Sequence, residues 1–140
     1  MDYRQLKAEF INDPRNYGYA EAWANGQNWK LADLINETRD SIRIPRDVVA
    51  TYELFDAIVP EDWDVLTATE KSRVQLILSM GQVSLKGTNT RAALQKAFGA
   101  ATTSRANLLA LMTRAGSRAE ELFGAGTVIT WDDIAAARRA

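Results

Sequence analysis

Ser117-Arg118-Ala119-Glu120-Glu121-Leu122 is the last of three segments built to one pattern: a hydroxyl, then Arg, Ala and, soon after, Leu. The other two are Thr90-Arg91-Ala92-Ala93-Leu94 and Ser104-Arg105-Ala106-Asn107-Leu108. A hydroxyl near a helix start accepts backbone N–H groups that have no partner inside the helix. Glu120, three residues after Ser117, can also reach back to the cap's own N–H, which makes a capping box. The segments recur every 13 to 14 residues. Their spacing predicts short helices over 89–98, 104–114 and 117–123, joined by tight turns at Gly99, Gly116 and Gly124. Phe98-Gly99-Ala100 and Phe123-Gly124-Ala125 echo each other, an aromatic plug before a glycine stop.

The same grammar extends outward. Thr67-Ala68-Thr69-Glu70 is a second capping box, opening a helix over 68–80 that carries Val74, Ile77 and Leu78 and ends toward Gly81. Thr130 with Asp133 caps a last helix over 131–139, and residues 127–129 read as extended. At the other end, Tyr3, Leu6 and Phe10 form one stripe of a helix over 2–12, which Asp13-Pro14 terminates. Leu31, Leu34 and Ile35 mark a helix over 27–37. Pro45 suits the first turn of another helix, with Val48, Tyr52, Phe55 and Val59 on one face and Pro60 as its stop. No alternating run is long enough for a sheet. The expected fold is therefore all-α: one domain over 1–140 of seven or eight short helices with glycine-capped turns. Its expected core comprises Phe10, Leu34, Tyr52, Phe55, Val74, Ile77, Leu78, Leu94, Phe98, Leu108, Leu109, Leu122, Phe123 and Ile134.

Composition narrows the chemistry. The 140 residues are 46% hydrophobic, enough for a real core. There is no cysteine, so disulfides, thiolate metal sites and Cys nucleophiles are excluded. There is no histidine, so the commonest general base is missing and no Ser–His pair exists. No catalytic residue, cofactor or metal is expected. The first residues lack a signal-peptide layout, and the apolar runs fall far short of the ~18 residues of a membrane span. Both point to a soluble, unsecreted protein. Charge is uneven: residues 1–85 balance to −5 and residues 86–140 to +4, an acidic and a basic half. Such a split serves either as two solvated faces or as polarity for stacking or for an anionic partner.

Five features are candidate sites. Glu61, Asp62 and Asp64 around Trp63 read as an acidic turn, since no glycine-bearing calcium loop follows. Gly81 to Gly87 lacks the phosphate-loop order, because Lys86 precedes its glycine. Arg91, Arg105 and Arg118 sit in first helical turns, where the macrodipole disfavours a cation, so an acidic group must compensate, either inside the fold or on a partner. A helix-turn-helix over 89–114 would offer bases only Arg105, Asn107 and Arg114. Tyr17, Tyr19, Trp23 and Trp29 form either a loop folded over the core or a contact surface. The candidate partner-binding residues are thus Tyr17, Tyr19, Trp23, Trp29, Arg91, Arg105 and Arg118.

Several segments resemble a family of small helical proteins encoded by tailed bacteriophages. They are Leu6-Lys7-Ala8-Glu9, Asp13-Pro14, Gly18-Tyr19-Ala20 and Leu31-Ala32-Asp33-Leu34-Ile35-Asn36 in the first half. Gly87-Thr88, the segments beginning at Thr90 and Ser117, and Gly126-Thr127-Val128 continue it in the second. The aromatic stretch Trp23 to Trp29 departs from the family's simplest pattern. The resemblance implies a virion structural or assembly protein of head, neck or tail, and it carries over no catalytic residue. Expected partners are other phage structural proteins, with a homo-oligomer as one form; neither nucleic acid nor membrane is expected. The expected location is the virion, with the host cytoplasm during assembly. The alternative is a phage-encoded nucleic-acid-binding or host-regulating protein.

Overall fold

Two short sheets overturn the all-α expectation. A computed structural model describes all 140 residues and contains ten helices, with strand β1 (Thr38–Pro45) paired to β4 (Thr113–Ser117) and β2 (Val48–Ala50) paired to β3 (Gln82–Ser84). In β1 only Ile42 and Ile44 are buried, an alternation too brief to stand out from the sequence. β4 has no apolar alternation at all, reading Thr-Arg-Ala-Gly-Ser. What it has is a small residue where the chain needs one. A Cβ built on Gly116 would lie 2.2 Å from Ile44 Cγ1, so only glycine lets Ile44 lie against this backbone.

The chain divides into two compact units, one formed by Met1–Ile44 with Ala115–Ala140, the other by Pro45–Arg114. The first carries a balance of −2 and the second +1, so the acidic and basic halves of the sequence do not coincide with them.

The first unit joins the chain's ends. α1 (Tyr3–Asn12) is capped by Asp2, which accepts N–H bonds from Arg4 and Gln5, and it buries Leu6, Glu9 and Phe10. Its cap at the far end, Asp13, is left-handed, and the Asp13 carboxylate accepts the N–H groups of Tyr17, Gly18 and Tyr19. That turn leads into α2 (Tyr19–Ala24) and then α3 (Asn28–Asn36). α9 (Arg118–Phe123) follows β4, and α10 (Trp131–Arg139) packs on α1 and α3. The Tyr3 hydroxyl donates to Asp133, and Lys7 Nζ donates to the Ala140 carbonyl. Residues 127–129 are irregular, and the Asn36 amide both donates to and accepts from the backbone of the buried Ile129.

In the second unit, Val49 of β2 faces Val83 of β3, both buried, in an antiparallel pair. Around this pair lie α4 (Thr51–Ala57), α5 (Pro60–Asp64), α6 (Ala68–Leu78), α7 (Thr88–Ala97) and α8 (Thr103–Leu111). Their core includes Leu54, Val74, Ile77, Leu94, Phe98 and Leu108.

Local signals held where they were caps. Thr67, Ser117 and Thr130 each accept the N–H three residues on, at the starts of α6, α9 and α10. Two others did not. α7 starts at Thr88, ahead of Thr90, with no side-chain cap, and α8 is capped by Thr102 rather than Ser104. Ser104 is fully buried instead, accepting from Val59 N–H while its own N–H donates to Asp62. α6 ends at Leu78 with the right-handed Ser79 as its cap, so Gly81, at φ +79, serves the turn into β3 rather than capping the helix.

The core expectation fails most coherently around α4. Pro45 ends β1 rather than opening a helix, and the helix begins at Thr51, after β2. The apolar series Val48–Tyr52–Phe55–Val59 therefore crosses an element boundary, and α4 buries Leu54 and Ala57 instead. Tyr52 and Phe55 are left 71% and 67% exposed. Pro60 opens α5 rather than ending α4. Leu109 is also exposed beside the buried Leu108, while Leu34, Leu78, Leu122 and Phe123 are only partly buried.

Replacing Gly116 by Ala should cost about 1–3 kcal/mol by overpacking, and the loss should disappear when Ile44 is Ala as well. Urea denaturation of the four chains checks this; an unchanged Gly116→Ala midpoint would mean that β4 does not lie against Ile44.

Candidate functional site

Of the seven candidate contact residues, the structure takes several into its interior. Tyr19 is fully buried, so it presents no contact surface. Its ring meets Phe10 edge-on at 5.1 Å and Tyr17 at 6.0 Å, while Trp23 stacks on Phe10 at 5.7 Å. Cations complete the cluster: the Arg39 guanidinium lies 3.8 Å from the Tyr17 ring centre, and that of Arg138 lies 4.1 Å from Trp23. Arg138 also donates to the Trp23 carbonyl and to Asn28. The aromatic stretch is thus largely a loop folded over its own core; Trp29 alone of the four is mostly exposed.

Arg118 is buried too, and its compensating acid is internal. Its Nε donates to Glu9 Oε1 at 2.7 Å and its Nη2 to Glu9 Oε2 at 2.9 Å, a bidentate pair between α9 and α1. Nη1 donates to Glu121 at 2.6 Å, and Glu121 in turn accepts from Arg15 at 2.8 Å. Bonding to the Glu9 carboxylate is the leading reason that the Arg118 guanidinium is held even more firmly protonated than usual. Burial pulls the Glu121 carboxyl upward, but the bonds and charges of Arg118 and Arg15 prevail and hold it below its ordinary value. Burial, followed by the charges of Glu9 and Asp13, pushes the Tyr19 hydroxyl far above its ordinary range and keeps it neutral.

Arg105 meets no carboxylate. It bonds the end of α7, with Nε donating to Phe98 O and Nη2 to Gln95 O. Cations suit helix C-termini, so the conflict with its own helix is offset by a neighbour's dipole. Arg91 is exposed. These two line one small cavity of about 40 Å3 between α7 and α8, with Leu85, Leu94, Leu108 and Met112.

An unused apolar surface is one the sequence reading placed in the core. Phe55 projects from α4 into a groove of about 380 Å3 lined also by Ile58, Pro60, Trp63 and Leu78, with Asp64 and Gln75 among its polar groups, and Tyr52, three residues earlier, is exposed on the same helix. Lys71 lies 6.0 Å from the Trp63 ring centre. Of the acidic cluster here, Asp62 accepts from Ser104 N–H at the start of α8, while Glu61 and Asp64 are exposed. Glu53 is occupied as well: bonds from Arg46, then from the Ala50 N–H, hold its carboxyl below the ordinary value. The signal that was available is this Glu53-to-Ala50 bond, half of a capping arrangement, which starts the helix at residue 51 and turns Tyr52 and Phe55 outward.

Compared with protein-family models, with curated proteins and with solved structures, the chain matches none.

Removing one partner of a buried pair strands the other charge, so Glu9→Gln should destabilise the chain by about 3–5 kcal/mol. With no histidine and no cysteine, stability should be flat near neutrality. Glu121, Glu53 and Asp133 have depressed pKa values, so their contribution is complete above the ordinary carboxylate range and is lost as pH falls through their lower folded values. Chemical denaturation from pH 8 down to about 2 should therefore show a plateau and then a decline below about pH 4. A slope near pH 7, or a neutral outcome for Glu9→Gln, would contradict this arrangement.

Proposed function

We propose that this chain is a non-enzymatic structural or assembly protein of a tailed bacteriophage, a component of head, neck or tail that works through contacts with other phage proteins. The observation that carries the reading is the apolar surface on α4, α5 and α6. Two large aromatic side chains, Tyr52 and Phe55, stand mostly in solvent next to a groove walled by Ile58, Trp63 and Leu78. Apolar patches that monomers leave in water in this way mark protein contact sites, and aromatic residues dominate their binding energy. The family resemblance of the sequence supports the phage setting, with the virion as the location.

A second reading has its own observation. The exposed side of α7 carries Asn89, Arg91, Gln95 and Lys96, and the helix has no acidic residue. Such a face suits a phosphate backbone.

Mass spectrometry of purified virions separates the two. The structural reading expects the chain at a fixed copy number per particle, and Phe55→Asp should lower its incorporation while the free protein stays folded. Absence from virions, together with duplex-DNA binding that weakens steeply with salt, would replace it with the second reading.

A further inference from the structure

We propose that the chain associates with copies of itself head to tail through its second unit, the Tyr52–Phe55 ridge of one copy seating against the Arg91–Arg105 cleft of the next. This rests on the reading that the chain acts by protein–protein contact, and it names the partner. The ridge and the cleft are complementary in shape class and in charge. Tyr52 and Phe55 are three residues apart on α4 and share a face. Asp56 follows them, exposed and without an ion-pair partner; Glu53 is engaged by Arg46. The cleft is the inverse: an apolar floor of Leu94, Leu108 and Met112 between two arginines, neither of which has a carboxylate partner in the chain. Its volume of about 40 Å3 admits a ring edge, and it is far smaller than the roughly 300–1,000 Å3 of a small-molecule site. Guanidinium groups beside an aromatic knob add cation–π attraction to the apolar contact.

Placement separates the two patches. α4 packs on α6 and α8, and α6 packs on α7, while α7 and α8 flank the cleft. The helices thus follow one another around the core as α7, α6, α4 and α8. The ridge lies on α4 and the cleft between α7 and α8, so they are two different patches. Unless a two-fold axis returns the second copy's ridge to the first copy's cleft, which closes a dimer, such a contact is heterologous and propagates until a ring closes or a filament extends.

Sedimentation velocity of the full chain over the micromolar range tests this. The wild type should gain mass with concentration, and added salt should weaken the gain. Phe55→Asp, which blocks the ridge, and Arg91→Asp, which blocks the cleft, should each stay monomeric, at least tenfold weaker in association, with unchanged circular dichroism and melting. Mixed together, they should form a dimer and stop there, because each supplies the patch that the other lacks. A wild type that stays monomeric throughout, a mixture that forms no dimer, or association that survives Phe55→Asp but is lost on Trp131→Ala would overturn the proposal. A chain that is monomeric and yet present in virions would overturn this inference alone and leave the assembly role standing.

Discussion

The buried pair between Glu9 and Arg118 is the constraint on which the first unit depends. It joins residues 109 positions apart, fixing the first helix of the chain to the start of α9. Taking two charges out of water costs several kcal/mol each, and that cost is offset here only because the pair is bidentate and continues into Glu121 and Arg15. The pair also sets what lies beside it. Phe10, the next residue after Glu9, stacks with Trp23 and meets Tyr19 edge-on, so holding α1 in place holds the aromatic cluster. Tyr19 must remain neutral in that setting, next to Glu9 and Asp13, and its raised pKa expresses the same constraint.

One consequence is a division of labour among groups that look alike in the sequence. Three arginines follow a hydroxyl in the same sequence pattern, yet each takes a different place in its helix and meets a different fate. Arg118 is neutralised by carboxylates, Arg105 hydrogen-bonds the carbonyls that end α7 and keeps an unpaired charge, and Arg91 is left in water. The aromatics divide similarly. Those of the 17–23 stretch are mostly spent on packing and on contacts with Arg39 and Arg138, whereas Tyr52 and Phe55 face solvent. The first unit turns Tyr19, Tyr17 and Trp23 onto its own core and leaves Trp29 and Trp131 in water; the second keeps an aromatic ridge and an arginine-lined cleft available.

What could be read from the sequence follows the range of the interaction. Caps act over three residues, and the boxes at Thr67, Ser117 and Thr130 place three helix starts correctly. Proline and hydroxyl positions were ambiguous where two elements met. Pro45 fits a strand end as well as a helix start, and reading it as the latter rotated the apolar face of α4 and put Tyr52 and Phe55 inside. The sheets were illegible for a different reason. β4 offers no side-chain alternation, and its pairing with β1 depends on the absence of a side chain at Gly116, far along the chain from Ile44. The compensating acid for Arg118 was anticipated as a requirement, but nothing local pointed to Glu9.

Hydroxyl-radical footprinting of the dilute protein, read by peptide mass spectrometry, tests the central claim most directly, because it reports side-chain exposure at each aromatic residue. The account predicts rapid labelling of Tyr52 and Phe55, protection of Phe10 and Tyr19, and loss of Tyr52 and Phe55 labelling as protein concentration rises. Labelling of Tyr19 as fast as that of Tyr52, or Tyr52 and Phe55 protected at every concentration, would contradict it.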